Sequence, residues 1–345
     1  MAEPLLEVKG LKVRFATEDG VVRAVDGVDF QLERGKVLGI VGESGSGKSV
    51  TAMTLLGLTR GQNAAFEGEV VYKGQNLLTM PESRLRDVRG DEIAMIFQDP
   101  MTSLNPVHSI GTQLIEATLL HQDVSKKQAR KLAIEALKDV GIPRAERRID
   151  DYPHQFSGGM RQRVMIAMAL INDPMLLIAD EPTTALDVTT QAQILELMRR
   201  LQEEHGTAIV MITHDLGVVA EVADEVVVMY AARVAERAPV DNIYGRPMHP
   251  YTWGLLGSLP RLETDVERLT QIPGQPPSLL RPPKGCRFNP RCTFAFDRCR
   301  HELPELVPTL SDPAHTQACF LDEETKLSEA RRVLAAFDPE AAEGV

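Results

Sequence analysis

Gly42-Glu43-Ser44-Gly45-Ser46-Gly47-Lys48-Ser49 follows the apolar run Lys36-Val-Leu-Gly-Ile-Val41 and precedes a stretch of small and apolar residues reaching Leu58. The eight residues match G-x-x-x-x-G-K-[ST], a loop whose backbone N–H groups wrap phosphate oxygens. In such a loop Lys48 donates to the β- and γ-phosphates and Ser49 offers a hydroxyl to Mg²⁺. The apolar run before it reads as a buried strand. The stretch after it reads as a helix from Ser49 to Leu58, with its positive dipole end toward the phosphates. An ordinary Gly/Ser-rich loop would lack that flanking pair. Alone, the pattern specifies a bound nucleotide and not the chemistry done with it.

Three further stretches follow in order. Glu92-Ile-Ala-Met-Ile-Phe97 reads as a strand ending at Gln98; then come Ser157-Gly-Gly-Met-Arg-Gln162 and Met175-Leu-Leu-Ile-Ala-Asp-Glu181. Met175 to Ala179 is apolar because it crosses a sheet interior, so Asp180 emerges at its end to hold Mg²⁺ through water. Glu181 comes next, where it polarises an attacking water. Leu5 to Phe15 alternates as a strand, with a turn at Asp19-Gly20. From Ser109 to about Gly141 the period is helical, through Ile115, Leu119, Leu132, Ile134 and Leu137. A helix follows Ser157, another spans Thr189 to Glu204, and Ala208 to Thr213 is a strand. Such alternation predicts an α/β fold, a parallel sheet covered by helices on both faces. Three of these residues have plainer readings. Gln98 suits a satisfied polar strand end, Phe15 a core position, and Thr213 or Asp215 beside His214 a helix N-cap.

The chain has 345 residues, 43% hydrophobic and 25% charged, with 38 basic and 49 acidic residues for a net charge of −11. That acidity argues against broad nucleic-acid binding. No apolar run approaches the roughly 20 residues that span a bilayer, and Met-Ala-Glu-Pro-Leu-Leu-Glu lacks a signal peptide's basic start and apolar stretch. The expectation is a cytosolic chain whose membrane role comes through a partner. All four cysteines, Cys286, Cys292, Cys299 and Cys319, fall late. In a reducing cytosol that grouping favours metal ligation over disulfides.

Taken together, residues 5–240 resemble the ATPase subunits of ABC-type transporters. Phe156-Ser-Gly-Gly-Met160 is similar to the family's Leu-Ser-Gly-Gly-Gln signature. It departs at the first and fifth residues and keeps the phosphate-facing Ser157, Gly158 and Gly159. The resemblance implies an ATP site with Phe15 stacked on adenine and Gly42, Ser44, Gly45, Ser46, Gly47, Lys48 and Ser49 around the phosphates. It implies Mg²⁺ held through Ser49, Gln98 and Asp180, Glu181 and His214 acting with Gln98 in catalysis, and Asp187 in the D-loop Ala185-Leu186-Asp187. The signature would act in trans on the P-loop of a second ABC ATPase subunit, in a homo- or heterodimer. The implied fold is a P-loop NTPase (ABC ATPase) with an inserted helical subdomain and a loop-rich, Cys-containing C-terminal extension.

The stretches His249-Pro-Tyr-Thr252, Ile272-Pro-Gly-Gln-Pro-Pro277, Gly285 to Cys292 and His315 to Cys319 resemble the dipeptide/oligopeptide importer branch. The cysteine spacing C-x5-C-x6-C-x19-C matches neither paired structural-zinc spacing nor common ferredoxin runs. Four thiolates suit a [4Fe–4S] cluster, which the resemblance favours, or Zn²⁺; four buried thiols without metal are the third reading. His315 is a spare ligand candidate or a surface residue. The expected domains are 1–245 for the ATPase (about 99–165 the helical subdomain), 246–325 for the extension and 326–345 for a tail, loose from Asp338. The implied function is ATP-driven peptide import through two transmembrane permease subunits, fed indirectly by an extracytoplasmic substrate-binding protein. Residues Asp99 to Pro106 would help dock the permeases, placing the chain peripherally on the cytoplasmic face of the inner or plasma membrane. No nucleic-acid partner is expected. The alternatives are a soluble ABC ATPase of DNA repair or translation, and an importer of nickel chelates or glycosides.

Overall fold

The computed structural model describes residues 3–61, 63–99, 103–184, 186–258 and 272–335. They sort into two compact units, each assembled from separated segments. One comprises Met1–Leu5, Leu32–Lys36 and Thr79–Ile212; the other comprises Leu6–Gln31, Val37–Leu78 and Thr213–Val345. The strands in chain order are β1 Leu6–Thr17, β2 Gly20–Leu32, β3 Val37–Val41, β4 Ala64–Tyr72, β5 Gln75–Asn76 and β6 Ile93–Ile96. They continue with β7 Leu176–Asp180, β8 Ala208–Thr213, β9 Glu225–Tyr230, β10 Arg233–Pro239, β11 Val307–Pro308 and β12 Thr316–Gln317.

In the first unit β6, β7 and β8 run parallel, in a register that pairs Ile93 with Leu176 and Asp180 with Ile212. Every residue of β7 and β8 is buried, which is why both read as unbroken apolar runs rather than alternating ones. The helical period beyond Ser109 resolves into Ile110–His121 and Lys126–Asp139. The break has a local cause: Ser125 and Gln128 form a capping box that starts the second helix. Helices Gly158–Leu170 and Val188–His205 complete the layers, with Val164 and Ile166 of the first and Ile194 of the second fully buried.

The second unit holds two sheets. One has the order β2-β1-β4-β5, with β1 and β4 antiparallel from Leu6↔Tyr72 to Phe15↔Ala64. The other carries β3 beside β9 in parallel, then β10, β12 and β11 in antiparallel order. These antiparallel strands add to the parallel sheet that the strand–helix alternation predicts. Between β9 and β10 the chain reverses through Ala231 and Ala232, both at positive φ (44° and 72°). That is the conformation of a type I′ hairpin turn, which Asn-Gly would signal and Ala-Ala conceals.

The C-terminal extension adds helices Pro250–Gly257, Asp297–His301 and Glu323–Ala335 to this unit. Residues 259–271 and those past 335, including the stretch expected to be loose from Asp338, lie outside the described ones. The extension is pinned by Glu236 of β10, which is fully buried. Its carboxylate accepts from the backbone N–H of Met248 (2.5 Å) and His249 (3.0 Å) and from the Thr252 hydroxyl (2.5 Å), and pairs with His315 Nε2 (2.7 Å). His315 is therefore neither at the surface nor a spare ligand: it is 1% exposed and engaged with Glu236.

Candidate functional site

The P-loop leaves β3 at Gly42 and enters helix Lys48–Leu55. Two of its glycines are dictated by neighbouring backbone. A Cβ on Gly42 (φ +148°) would lie 2.1 Å from the Met229 carbonyl oxygen, and one on Gly47 (φ +102°) 2.4 Å from that of Ala24. The Ser46 N–H donates to the Glu43 carbonyl (3.2 Å), and the Ser46 carbonyl accepts from Ala232 N–H (3.0 Å). Lys48 is buried, its ammonium donating to the carbonyls of Gly42 (2.7 Å) and Glu43 (3.1 Å) inside the curve of the loop. The Ser46 hydroxyl is buried with no hydrogen-bond partner among the described residues, a polar atom that a phosphate oxygen would satisfy. Ser44 and Gly45 are exposed at the loop's crest, and Ser49 is half-buried.

In the same unit Phe15 is half-buried on β1, so it is not consumed by the core its alternating strand suggested. His214 is exposed directly after β8. Both N-cap features coexist with it: Asp215 caps helix Leu216–Val222 by accepting from Gly217 N–H (2.8 Å), and the Thr213 hydroxyl accepts from Asp215 N–H (3.0 Å).

The first unit carries the carboxylates. Asp180 ends β7 and is buried. Glu181 follows at φ +48°, a conformation that costs a non-glycine residue about 1–2 kcal/mol. Its N–H is held by the Ile212 carbonyl (2.8 Å). One carboxylate oxygen of Glu181 accepts from Gln98 Nε2 (3.0 Å) and from the Thr184 hydroxyl (2.8 Å). The structure thus joins Gln98 to Glu181, residues far apart in the chain. It adds Thr184 and Gln162, which sequence reasoning did not single out. Gln162 is buried in helix Gly158–Leu170 and donates to the Pro182 carbonyl (2.7 Å), tying the signature helix to the loop after Glu181. Its mark in the sequence was a polar residue at a core position of an apolar helix.

Ser157 is the N-cap of that helix and accepts from Met160 N–H (3.4 Å). Ser157 and Gly158 are exposed, and a Cβ on Gly158 would meet nothing within 4 Å. Asp187 caps helix Val188–His205, accepting from the N–H (2.9 Å) and hydroxyl (2.7 Å) of Thr190, bonds that hold its carboxyl below the usual range. Ala185 of the expected D-loop lies outside the described residues, as do residues 100–102 of the expected docking segment.

Cys286, Cys292, Cys299 and Cys319 line one cavity, together with His249, Phe288 and Phe294. Burial pushes the Cys286 thiol up to about 11 and the Cys292 thiol up to about 12, and raises Cys319. Among the described residues, however, no group of three or more His, Cys, Asp or Glu side chains is arranged to hold a metal ion. Zinc, with bonds of about 2.3 Å to thiolate, needs four sulfurs converging on one point. The four cysteines share that cavity, Cys299 buried and the other three half-buried, without forming a ready-made ligand set among the described residues. His249, which entered the sequence reading only within the motif His249-Pro-Tyr-Thr252, also lines this cavity.

A phosphate-wrapping loop with its lysine, and a strand-end Asp-Glu pair wired to a glutamine, define a nucleotide-hydrolysing P-loop protein. The family described as ABC transporter matches residues 25–184, and the oligopeptide/dipeptide transporter C-terminal region matches residues 235–299. The chain is 52% identical over 323 residues to the oligopeptide transport ATP-binding protein OppD of Haemophilus influenzae, covering 93% of this chain and 98% of the relative. It is 56% identical over 294 residues to OppD of Bacillus subtilis, covering 85% and 82%. A dimeric ATP-binding cassette solved in a post-hydrolysis state with ADP and Pi superposes with a TM-score of 0.62. That cassette is 29% identical, and the match covers 68% of this chain and 98% of that one. The chain belongs to the ABC transporter ATP-binding proteins, in the group that carries the oligopeptide/dipeptide transporter C-terminal region.

Proposed function

We propose that this chain hydrolyses ATP to drive peptide import through membrane permease subunits, working as a dimer of ATPase subunits. The observation that carries the catalytic part is the Gln98–Glu181 hydrogen bond beside the buried Asp180. Around ATP, the N–H groups of Gly45, Ser46, Gly47 and Lys48 and the Lys48 ammonium bind the β- and γ-phosphates. To do so, the ammonium exchanges its present carbonyl partners for phosphate oxygens. Phe15 takes the adenine face. Ser49, Asp180 and Gln98 are the residues that would hold Mg²⁺, whose charge offsets that of the phosphates. Glu181 accepts a proton from water as its oxygen attacks the γ-phosphorus and the bond to the ADP oxygen breaks. His214 is assigned to the γ-phosphate, and Asp187 to communication with the partner ATPase.

Ser157, Gly158 and Gly159 serve the nucleotide of the partner subunit; the exposure of Ser157 and Gly158 and the open space at Gly158 support this reading. Among the described residues no helix is long and apolar enough to cross a membrane, so the permeases supply the path. The assignment of an extracytoplasmic binding protein as cargo supplier, the peripheral position on the cytoplasmic face and the division at 245 and 325 rest on the family. So does the [4Fe–4S] reading, supported besides by four cysteines around one cavity. Iron and sulfide analysis of anaerobically purified protein tests it: about four of each per chain supports the cluster, and neither rejects it.

The test of catalysis is Glu181→Gln, which keeps size and hydrogen bonding and removes the base. Hydrolysis by the complex is expected to fall at least about 100-fold, with ATP binding retained. Turnover at the parent rate would refute the assignment of Glu181.

A further inference from the structure

Glu43 occupies a position of the P-loop pattern that the pattern leaves open, yet it is heavily restrained. Its carboxylate takes both arms of Arg291, Nη1 at 2.6 Å and Nη2 at 3.0 Å. Its N–H donates to the Tyr251 hydroxyl at 2.8 Å. Its carbonyl accepts from Ser46 N–H (3.2 Å) and from the Lys48 ammonium (3.1 Å). Arg291 and Tyr251 both belong to the C-terminal extension.

The arginine is itself fully committed. Its Nε donates to the Pro273 carbonyl (2.8 Å), Nη2 also to the Ile272 carbonyl (3.2 Å) and Nη1 also to the Tyr230 hydroxyl (3.3 Å). All five N–H donors of the guanidinium are therefore used. Its side chain is 4% exposed. Tyr251 is fully buried, its ring 4.6 Å from that of Tyr230 and 5.4 Å from that of Phe288. Neither partner of Glu43 can be displaced without breaking this packing.

A carboxylate in a loop that wraps phosphate oxygens poses an electrostatic problem. ATP brings several negative charges to the loop, and an unneutralised Glu43 would repel them at short range and low dielectric. A forked guanidinium removes that charge and fixes the side chain's direction at once. We propose that Arg291 and Tyr251 are positioning residues of the nucleotide site: the extension neutralises and braces Glu43 and thereby sets the affinity of the P-loop for ATP. This deepens the reading of the chain as an ATPase and rests on it.

The experiment is titration of the full-length chain with a fluorescent ATP analogue and Mg²⁺, alongside ATP turnover of the assembled complex and thermal melting. Arg291→Gln leaves Glu43 charged beside the phosphates. ATP affinity should drop about tenfold and KM rise in step, with kcat within about twofold of the parent. In Glu43→Gln/Arg291→Gln both charges are gone, and affinity should return to within about threefold of the parent. Arg291→Lys keeps the charge without the fork, and serves in place of Arg291→Gln if that variant fails to fold. Its affinity should lie between the two. Unchanged affinity in Arg291→Gln, or a double variant no better than the single one, would overturn the proposal. A parent chain that neither binds nor hydrolyses ATP would instead overturn the ATPase reading itself.

Discussion

The P-loop and the signature stretch are both rich in Gly and Ser and both open a helix, yet they are held in opposite ways. The P-loop is gripped at both ends of its exposed crest, with Gly42, Ser46 and Lys48 buried. Backbone carbonyls crowd Gly42 and Gly47, and Ala232 and Arg291 grip the residues between or beside them. In the signature stretch Ser157 and Gly158 are exposed, with a cap bond at Ser157 and open space where a Gly158 side chain would go. In the P-loop Gly42 and Gly47 answer to this chain's own backbone. At Gly158 no neighbour among the described residues asks for a glycine, which is the behaviour expected of a surface that meets a second subunit.

The largest effect should come from Gly47→Ala. The added methyl would meet the Ala24 carbonyl in a backbone conformation unfavourable to any side chain, so a loss of about 3 kcal/mol or more and near-complete loss of ATP binding are expected. Urea unfolding and nucleotide titration read both. A stable Gly47→Ala chain that still binds ATP would erase the contrast.

Next is the support beneath the loop. The Ala232 N–H bonds the Ser46 carbonyl, while its own carbonyl accepts from Asp26 N–H (2.8 Å). The Asp26 carboxylate pairs with Arg287 (2.7 Å) and Arg233 (3.4 Å). Burial by itself would raise the Asp26 carboxyl, but the hydrogen bond from Arg287 and the charge of Arg233 outweigh it and hold it below its ordinary value. A carboxyl depressed in the fold binds fewer protons folded than unfolded. Its contribution is therefore complete above the ordinary Asp value of about 4 and is lost as pH falls through the depressed one. Asp26→Asn should cost about 2 kcal/mol at pH 7, and the gap to the parent should shrink as acid is added below about pH 4. Urea melts at stepped pH values measure it, and a gap independent of pH would remove Asp26 from the pairing.

The smallest change in stability, and the sharpest test of the comparison, is Gly158→Ala. With open space and no positive φ, the variant should melt at the parent temperature or slightly above, a gain of up to about 0.5 kcal/mol. Hydrolysis by the assembled complex should nonetheless fall about tenfold, while nucleotide binding by the isolated chain holds. Parent-level hydrolysis would show that no partner phosphate is read there.

Much of this site was legible in the chain because its parts are local. A strand, a loop of glycines and a lysine, or an apolar strand ending in Asp180-Glu181, declare themselves by period and spacing within ten residues or so. The two helices from Ile110 to Asp139 were legible for the same reason, and even their break carried its own capping signal at Ser125. Strand β10 was not, because its hairpin turn is made by two alanines in a conformation their side chains do not advertise. The pairing of Gln98 with Glu181, the burial of His315 against Glu236 and the clamp of Arg291 on Glu43 join residues far apart in sequence. Such contacts are chosen by which side chains packing brings together and desolvates, a property of the whole fold. By itself the sequence pointed to a phosphate-binding loop and to the residues proposed to act beside it. Only the tertiary structure decided what holds those residues still, because a charge–charge or hydrogen-bond partner depends on distance in space and leaves no period along the chain.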